Sequence, residues 1–335
     1  MVLLKSGTRL DFEKSHLRLE IDVQSSFFST EIFDSRYLSL IQSLNAIYID
    51  PEGTRMGLTT TDAMRKLDYL WWAATKTFDS DTICPACGSG SVHLILRKYL
   101  VTCLYECNVC HIRFRTPKET AGRADKLYTK ESYRQGFTTD LPTTAQLAEL
   151  LKNNFAGTEK NFDSYIEVLR SILPKGARIL DFGSSWGYGS WQLKRAGFEV
   201  YSYEVGRQRA VYAKEHLDCN MVEDLTTLHG AIDCLFSSHV IEHLPDPAIL
   251  LGEAQKLLVP GGYFVCYCPN GNPMRTDKGY HHAWGKVHPL LITPEFMNWA
   301  AGKHNLTLCE MRAGENLLGG ELLTIARKDP QHAQA

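Results

Sequence analysis

The stretch Arg178-Ile-Leu-Asp181-Phe-Gly183-Ser-Ser185-Trp-Gly187-Tyr-Gly189 reads as a strand, a turn of small residues and the start of a helix. Arg178–Phe182 is the expected strand, and a helix is expected over Gly189–Ala196. Glycines in the turn let the backbone approach a ligand that a β-carbon would push away. The helix start offers unbonded N–H groups and positive potential to the same ligand. Glu204 ends the next expected strand, Glu199–Glu204, 23 residues after Asp181. From that place a carboxylate accepts hydrogen bonds from a ribose diol.

Two features turn this reading away from a dinucleotide. Ser185 stands where a dinucleotide-binding turn has its second glycine, and Asp181 ends the first strand. A carboxylate repels a pyrophosphate but favours a cationic sulfonium or ammonium. Downstream the pattern keeps alternating. A helix is expected over Arg207–His216, a strand over Cys234–Ser237, and a helix over Pro247–Leu258 stopped by Pro260-Gly261-Gly262. A strand over Tyr263–Cys268, a helix over Pro294–His304 and strands over Leu306–Arg312 and Glu321–Arg327 complete residues 177–328. This alternation predicts an α/β fold with a doubly wound sheet.

Upstream, residues 118–176 read as a mostly helical connector, with helices over Gln146–Asn153 and Asn161–Leu173. Residues 82–117 are a cysteine-rich unit, in which Cys84-Pro-Ala-Cys87 and Cys107-Asn-Val-Cys110 lie 19 residues apart. Two such knuckles supply four thiolates tetrahedrally to one zinc ion, and a closed set of four leaves no open position for chemistry, so the zinc is structural. Gly88 suits the tight turn, His93–Leu96 and Tyr99–Tyr105 are the expected ribbon strands, and Cys103 is a strand residue, not a ligand. Residues 1–80 form an extension of unclear fold. Thr8–Val23 alternates in part, Ser35–Ile49 has helical spacing, and Thr60–Phe78 is an expected helix whose Trp71 and Trp72 pack on a neighbour.

With 335 residues, 44% hydrophobic and 22% charged, the chain can bury full cores for about two domains. A net charge of −2 gives no general basic field for nucleic acid. The local cluster of Arg97, Lys98, Arg113, Arg115 and Lys118 keeps a nucleic-acid grip as a lesser alternative. No apolar run approaches the ~18 residues of a membrane span. Met1-Val2-Leu3-Leu4-Lys5 is too short for a signal-peptide core, so a cytoplasmic protein is expected. Ten cysteines in a reducing compartment point to metal binding by the two paired knuckles and not to disulfides.

Asp181-x-Gly183-x-Ser185-x-Gly187 resembles motif I of the class I S-adenosylmethionine-dependent methyltransferases, with Ser185 in place of that pattern's middle glycine. Ile232-Asp-Cys-Leu-Phe-Ser-Ser-His239-Val-Ile-Glu-His243-Leu-Pro-Asp-Pro247 is similar to the motif IV region of the branch with ubiquinone-type and sugar methyltransferases. Leu257-Leu-Val-Pro-Gly-Gly-Tyr263 and Pro269-Asn270 continue the resemblance, which spans residues 160–328. Cys84-Pro-Ala-Cys-Gly88, Arg115-Thr-Pro117 and Leu127-Tyr128…Tyr133 resemble the zinc ribbon that opens many bacterial methyltransferases assigned to glycan or sugar-nucleotide modification.

The resemblance implies a Rossmann-like seven-stranded methyltransferase sheet, preceded by a small zinc ribbon and an N-terminal extension. It implies S-adenosyl-L-methionine as cofactor, with Asp181, Gly183, Ser185 and Gly187 at its methionine part. Glu204 would bind the ribose, Val205 would pack on the adenine, and Asp224 or Glu223 would meet the adenine amino group. Ser238 and His239 would line the pocket. The implied acceptor is a sugar, glycan or other small molecule, methylated on oxygen or carbon. His243 is the first candidate for a base, its other role being to orient the Glu242-His243-Leu244 turn. His288 is a candidate acceptor contact in the long loop after Asn270, which also carries His281 and His282; without cysteines or carboxylates of clear spacing nearby, these three histidines are not read as a metal site. Two rival functions are methylation of RNA or protein gripped by the ribbon, and a non-catalytic cofactor-binding module.

Overall fold

The structure is a computed structural model that describes residues 11–13, 16–18, 69–70, 72–76, 81–98, 101–120, 122, 139–272, 284–285, 287–314 and 320–330. The chain divides into two compact units, Met1–Leu58 and Thr59–Ala335. In the first, β1 (Asp11–Glu13) pairs antiparallel with β2 (His16–Arg18). The expected helix over Ser35–Ile49, Trp71, Leu127, Tyr128, Tyr133, His281 and His282 lie outside the described residues.

The second unit opens, among its described residues, with helical turns at residues 69–70 and 72–76. Here Trp72 does pack on a neighbour: its ring lies 5.1 Å from the Arg115 guanidinium, and the Tyr69 ring lies 5.7 Å from it. The ribbon follows as β3 (Val92–Lys98), β4 (Thr102–Cys107) and β5 (Arg113–Thr116). The sequence reading gave two ribbon strands; β5 is a third, and its far edge pairs with β11 (Leu290–Leu291), giving the order β11-β5-β4-β3.

Arg113 and Arg115 are therefore not an exposed basic patch. Both are buried, Arg113 against Glu106 and Arg115 against Glu119, because they stand on an inner strand of that sheet. Each guanidinium is neutralised where it lies, as a buried charge must be.

The connector holds α1 (Thr144–Lys152), started by a Thr143–Gln146 capping box, and α2 (Asp163–Ile172), which buries Tyr165, Ile166 and Leu169. The alternating elements then run β6 (Arg178–Phe182), α3 (Tyr188–Arg195), β7 (Glu199–Tyr203), α4 (Arg207–Leu217), β8 (Asn220–Met221), β9 (Ile232–Ser238), α5 (Ala248–Leu257) and β10 (Leu258–Pro269). After β11 come α6 (Pro294–Lys303), β12 (Leu306–Ala313) and β13 (Glu321–Lys328). Seven strands form one sheet in the order β12-β13-β10-β9-β6-β7-β8. All neighbours are parallel except β13, which is antiparallel to β10 and β12.

Apolar side chains of the strands are buried on both faces of this sheet, as a helix-covered parallel sheet requires. One core cluster also takes in Cys84, Cys107, Cys110, Ile112 and Phe114, so the ribbon and the sheet share a core. Strand order reverses between β6 and β9, and ligands of open α/β sheets bind at that switch point, outside the carboxyl ends of the strands. Among the described residues, no helix is long and apolar enough to cross a membrane.

Candidate active site

At the end of β6 the chain turns through Gly183 (φ +84°), Ser185 (φ 52°) and Gly187 (φ +86°) into α3. Gly183 is required twice over: its φ is left-handed, and a Cβ there would sit 2.4 Å from Val240 Cγ2. Ser185 takes the left-handed conformation that a glycine would take more cheaply, so the substitution noted in the sequence leaves the turn intact. Tyr203 O accepts from Gly183 N (2.8 Å) and Ser184 N (3.0 Å), which ties the turn to β7. The side-chain oxygens of Ser184 and Ser185 are buried with no hydrogen-bond partner.

Glu204 closes the turn from the other side. Its Oε2 accepts from Ser185 N at 3.0 Å. Its Oε1 accepts from Gly206 N (2.6 Å) and from Arg209 Nη2 (2.7 Å). Oε2 keeps acceptor capacity, because each carboxylate oxygen has two lone-pair sites. Val205 beside it is an exposed apolar side chain, 53% accessible. Asp224 caps a short 3₁₀ turn, Leu225–Leu228, with Oδ1 accepting from Thr226 N at 2.9 Å. Asp181 is fully buried and accepts from Ser190 Oγ at 2.6 Å, and Ser202 Oγ donates in turn to Ser190. Burial raises the Asp181 carboxyl to about 6, despite the Ser190 hydrogen bond, which lowers it.

Past Ser238, at the end of β9, a second constellation is built. His239 (φ 55°) places Nε2 2.6 Å from Glu321 Oε1 and Nδ1 3.4 Å from Glu242 Oε1. Burial disfavours its charge, but the two carboxylates outweigh burial and raise it to about 10. His239 is thus an imidazolium at neutral pH with both nitrogens engaged, and it cannot accept a proton. Tyr165 OH donates to Glu321 at 3.0 Å, completing a chain from α2 to β13 to the β9 loop.

Glu242 is 1% accessible; His239 Nδ1 approaches its Oε1 at 3.4 Å, and its Oε2 has no hydrogen-bond partner. Burial resists its ionisation, but the nearby His243 and His239 keep it below the usual carboxylate range. His243 is lowered, chiefly by burial. Its Nδ1 lies 2.9 Å from Val287 O, an acceptor only, so Nδ1 carries the proton and Nε2 the lone pair. Nε2 lies 3.8 Å from Glu242 Oε1, and the His288 ring centroid is 4.7 Å from that of His243. Ligand atoms of Glu242, His243 and His288 lie within 4.8 Å of one another, a set able to hold a metal ion. Sequence reasoning missed Glu242, Glu321, Tyr165 and Arg209. Glu242 alone had a local signal, its place beside His243.

The four knuckle thiols, Cys84, Cys87, Cys107 and Cys110, also converge, with all Sγ atoms within 4.8 Å of one another. Cys84 to Cys110 and Cys87 to Cys107 are each 3.5 Å. Four thiolates at about 2.3 Å from a tetrahedral zinc would lie roughly 3.8 Å apart, so the cluster fits that ion. Both knuckles fold alike: Gly88 N donates to Cys84 O and His111 N to Cys107 O, with left-handed φ at Gly88 and His111.

The sheet order and the glycine turn after β6 define a doubly wound α/β domain, with the turn and Glu204 together at the switch point. Residues 156–311 match the family described as a methyltransferase domain. The ubiquinone biosynthesis O-methyltransferase of Cereibacter sphaeroides is 29% identical over 126 residues, covering 35% of this chain and 51% of that protein. That of Paramagnetospirillum magneticum is 34% identical over 100 residues, covering 27% and 40%. The chain spans about half the length of the curated relatives it matches. Among solved structures, an S-adenosylmethionine-dependent methyltransferase from Mesorhizobium loti is similar at TM-score 0.40 and 19% identity, covering 48% of this chain and 96% of that one. Phosphoethanolamine N-methyltransferase 2 from Haemonchus contortus is similar at TM-score 0.48 and 14% identity, covering 65% and 62%. Residues 156–311 thus carry a methyltransferase domain, similar over part of its length to ubiquinone biosynthesis O-methyltransferases.

Proposed function

We propose that the protein transfers a methyl group from S-adenosylmethionine to a hydroxyl of a small-molecule acceptor, a sugar, a glycan unit or a similar polyol or phenol. The observation that carries this reading is the pairing of the Gly183–Gly187 turn with Glu204 on one side of the switch point and a neutral, oriented His243 on the other. The bound cofactor supplies a methyl group already activated on a sulfonium. Glu204 Oε2 would accept a hydrogen bond from a ribose hydroxyl, Val205 would cover the adenine, and the orphan hydroxyls of Ser184 and Ser185 would serve polar atoms of the cofactor. Asp181 holds the turn against α3 through Ser190. His243 Nε2 would take the proton of the acceptor hydroxyl, leaving the acceptor oxygen as the nucleophile toward that methyl group. A base so placed contributes about 10²–10⁴-fold.

The organisation that goes with this reading is a Cys₄ zinc ribbon over residues 82–117, a connector over 118–176 and the catalytic domain over 177–328. A second reading of the acceptor group rests on Glu242, whose buried Oε2 lacks a hydrogen bond and whose Oε1 faces the lone pair of His243 Nε2 at 3.8 Å. A divalent cation held by Glu242, His243 and His288 would relieve that repulsion and lower the acceptor's pKa.

The test is release of S-adenosylhomocysteine across a panel of sugar nucleotides, sugars and dihydroxyphenols, before and after chelation. On the first reading, His243→Gln lowers turnover at least about 10²-fold and chelation is without effect. Chelator-sensitive turnover that Mn²⁺ restores while the Cys₄ zinc content stays unchanged selects the second. Unchanged turnover in His243→Gln contradicts both.

A further inference from the structure

The hydrogen bonds of the cofactor turn run to Tyr203 and Glu204, within the seven-stranded sheet. The acceptor side is held differently. Val287, whose carbonyl fixes the His243 tautomer, and His288 stand directly before β11, and β11 is an edge strand of the ribbon sheet. Leu290 pairs with Phe114 and Leu291 with Arg113, and Arg115 N donates to Pro289 O at 2.8 Å. Thr293 Oγ1 donates to His111 O at 2.8 Å, and His111 directly follows the zinc-knuckle residue Cys110. The Arg113 side chain donates from Nε to Glu106 Oε2 at 2.7 Å and from Nη1 to the carbonyl of Gly271. Gly271 N donates to Ile292 O at 2.7 Å, and a Cβ at Gly271 would fall 2.7 Å from that same oxygen. Trp284 and Leu291 pack with Leu104 of β4 in a small cluster of their own.

We propose that the ribbon is the positioning device of the acceptor side: the Cys₄ knuckles hold His111 and β5, β5 holds β11, and β11 places Val287 and His288 against His243, with Arg113 as the positioning residue that locks the junction to the end of β10. This rests on the structural-zinc reading and on the site assigned above. It gives the ribbon a role in acceptor geometry that nothing in the Cys₄ chemistry itself requires. Cofactor binding and acceptor geometry are then separable properties of one chain.

The experiment uses the full chain and three measurements: zinc content, hydrogen-exchange protection by peptide, and affinity for S-adenosylhomocysteine. They are made on the parent protein, on protein stripped of zinc by a mercurial with chelator, and on Arg113→Ala, which leaves all four thiols in place. Stripping and Arg113→Ala should each raise exchange at least about tenfold over residues 287–293 and 239–244. Both should also erase the nuclear Overhauser contact between the His243 and His288 rings. Residues 178–206 should stay protected, and S-adenosylhomocysteine affinity should stay within about threefold. Arg113→Ala should keep full zinc. Unchanged protection over residues 287–293 in both forms overturns the proposal, as does loss of cofactor affinity in step with the exposure. Zinc-free parent protein overturns the zinc reading alone, and Arg113→Ala then still decides whether β5 positions His288.

Discussion

At the residue scale, Asp181 shows how a buried acid can serve a site at the expense of stability. Its ordinary carboxyl value is about 3.9. The folded value near 6 makes the fold prefer the protonated form. The contribution is therefore fully present below about pH 4 and is lost as pH rises through 6, a difference of about 3 kcal/mol. Asp181→Asn keeps an acceptor for Ser190 Oγ and removes the charge. We expect urea denaturation of the cofactor-free variant to match the parent at pH 4 and to exceed it at pH 8 by up to about 3 kcal/mol. We expect its S-adenosylhomocysteine affinity to fall at the same time. A constant stability difference across that pH range would show that Asp181 is ionised throughout.

At the element scale, the cofactor turn is held by a close contact that can be relieved from the other side. In Gly183→Ala a Cβ would meet Val240 Cγ2 at 2.4 Å in a left-handed backbone. We expect a loss of about 2–4 kcal/mol of stability, of which Val240→Ala in the same chain recovers the steric part but not the backbone strain. A double-mutant cycle in thermal unfolding measures this, and strict additivity would contradict the packing described.

The elements of this domain were legible in the sequence because their signals are local. Arg178–Phe182 is a strand with the bounds read from its pattern, and Glu321–Lys328 runs one residue beyond its reading. The two-residue strands β8 and β11 are too short to show a period. Strand β5, Arg-Phe-Arg-Thr, reads as a solvated basic stretch because the carboxylate that buries Arg113 stands on the neighbouring strand. The acceptor side was hidden for the same reason. His243 was visible as a histidine, but its tautomer is fixed by a carbonyl 44 residues away, and Glu321 joins His239 across 82.

At the largest scale, the ribbon sheet and the seven-stranded sheet meet near β11, and the proposed site lies where they meet. On the proposed reading the cofactor side belongs to the seven-stranded sheet and the acceptor side is where the four-stranded one meets it, and one apolar core runs beneath both. The central claim is that the β6 switch point is an S-adenosylmethionine site, and calorimetric titration with S-adenosylhomocysteine, beside NADH as a control, tests it most directly. The account predicts micromolar binding of S-adenosylhomocysteine alone, weakened about 10- to 100-fold in Glu204→Ala as charge-assisted hydrogen bonds are lost. Equal binding of both ligands, or binding indifferent to Glu204→Ala, would contradict it.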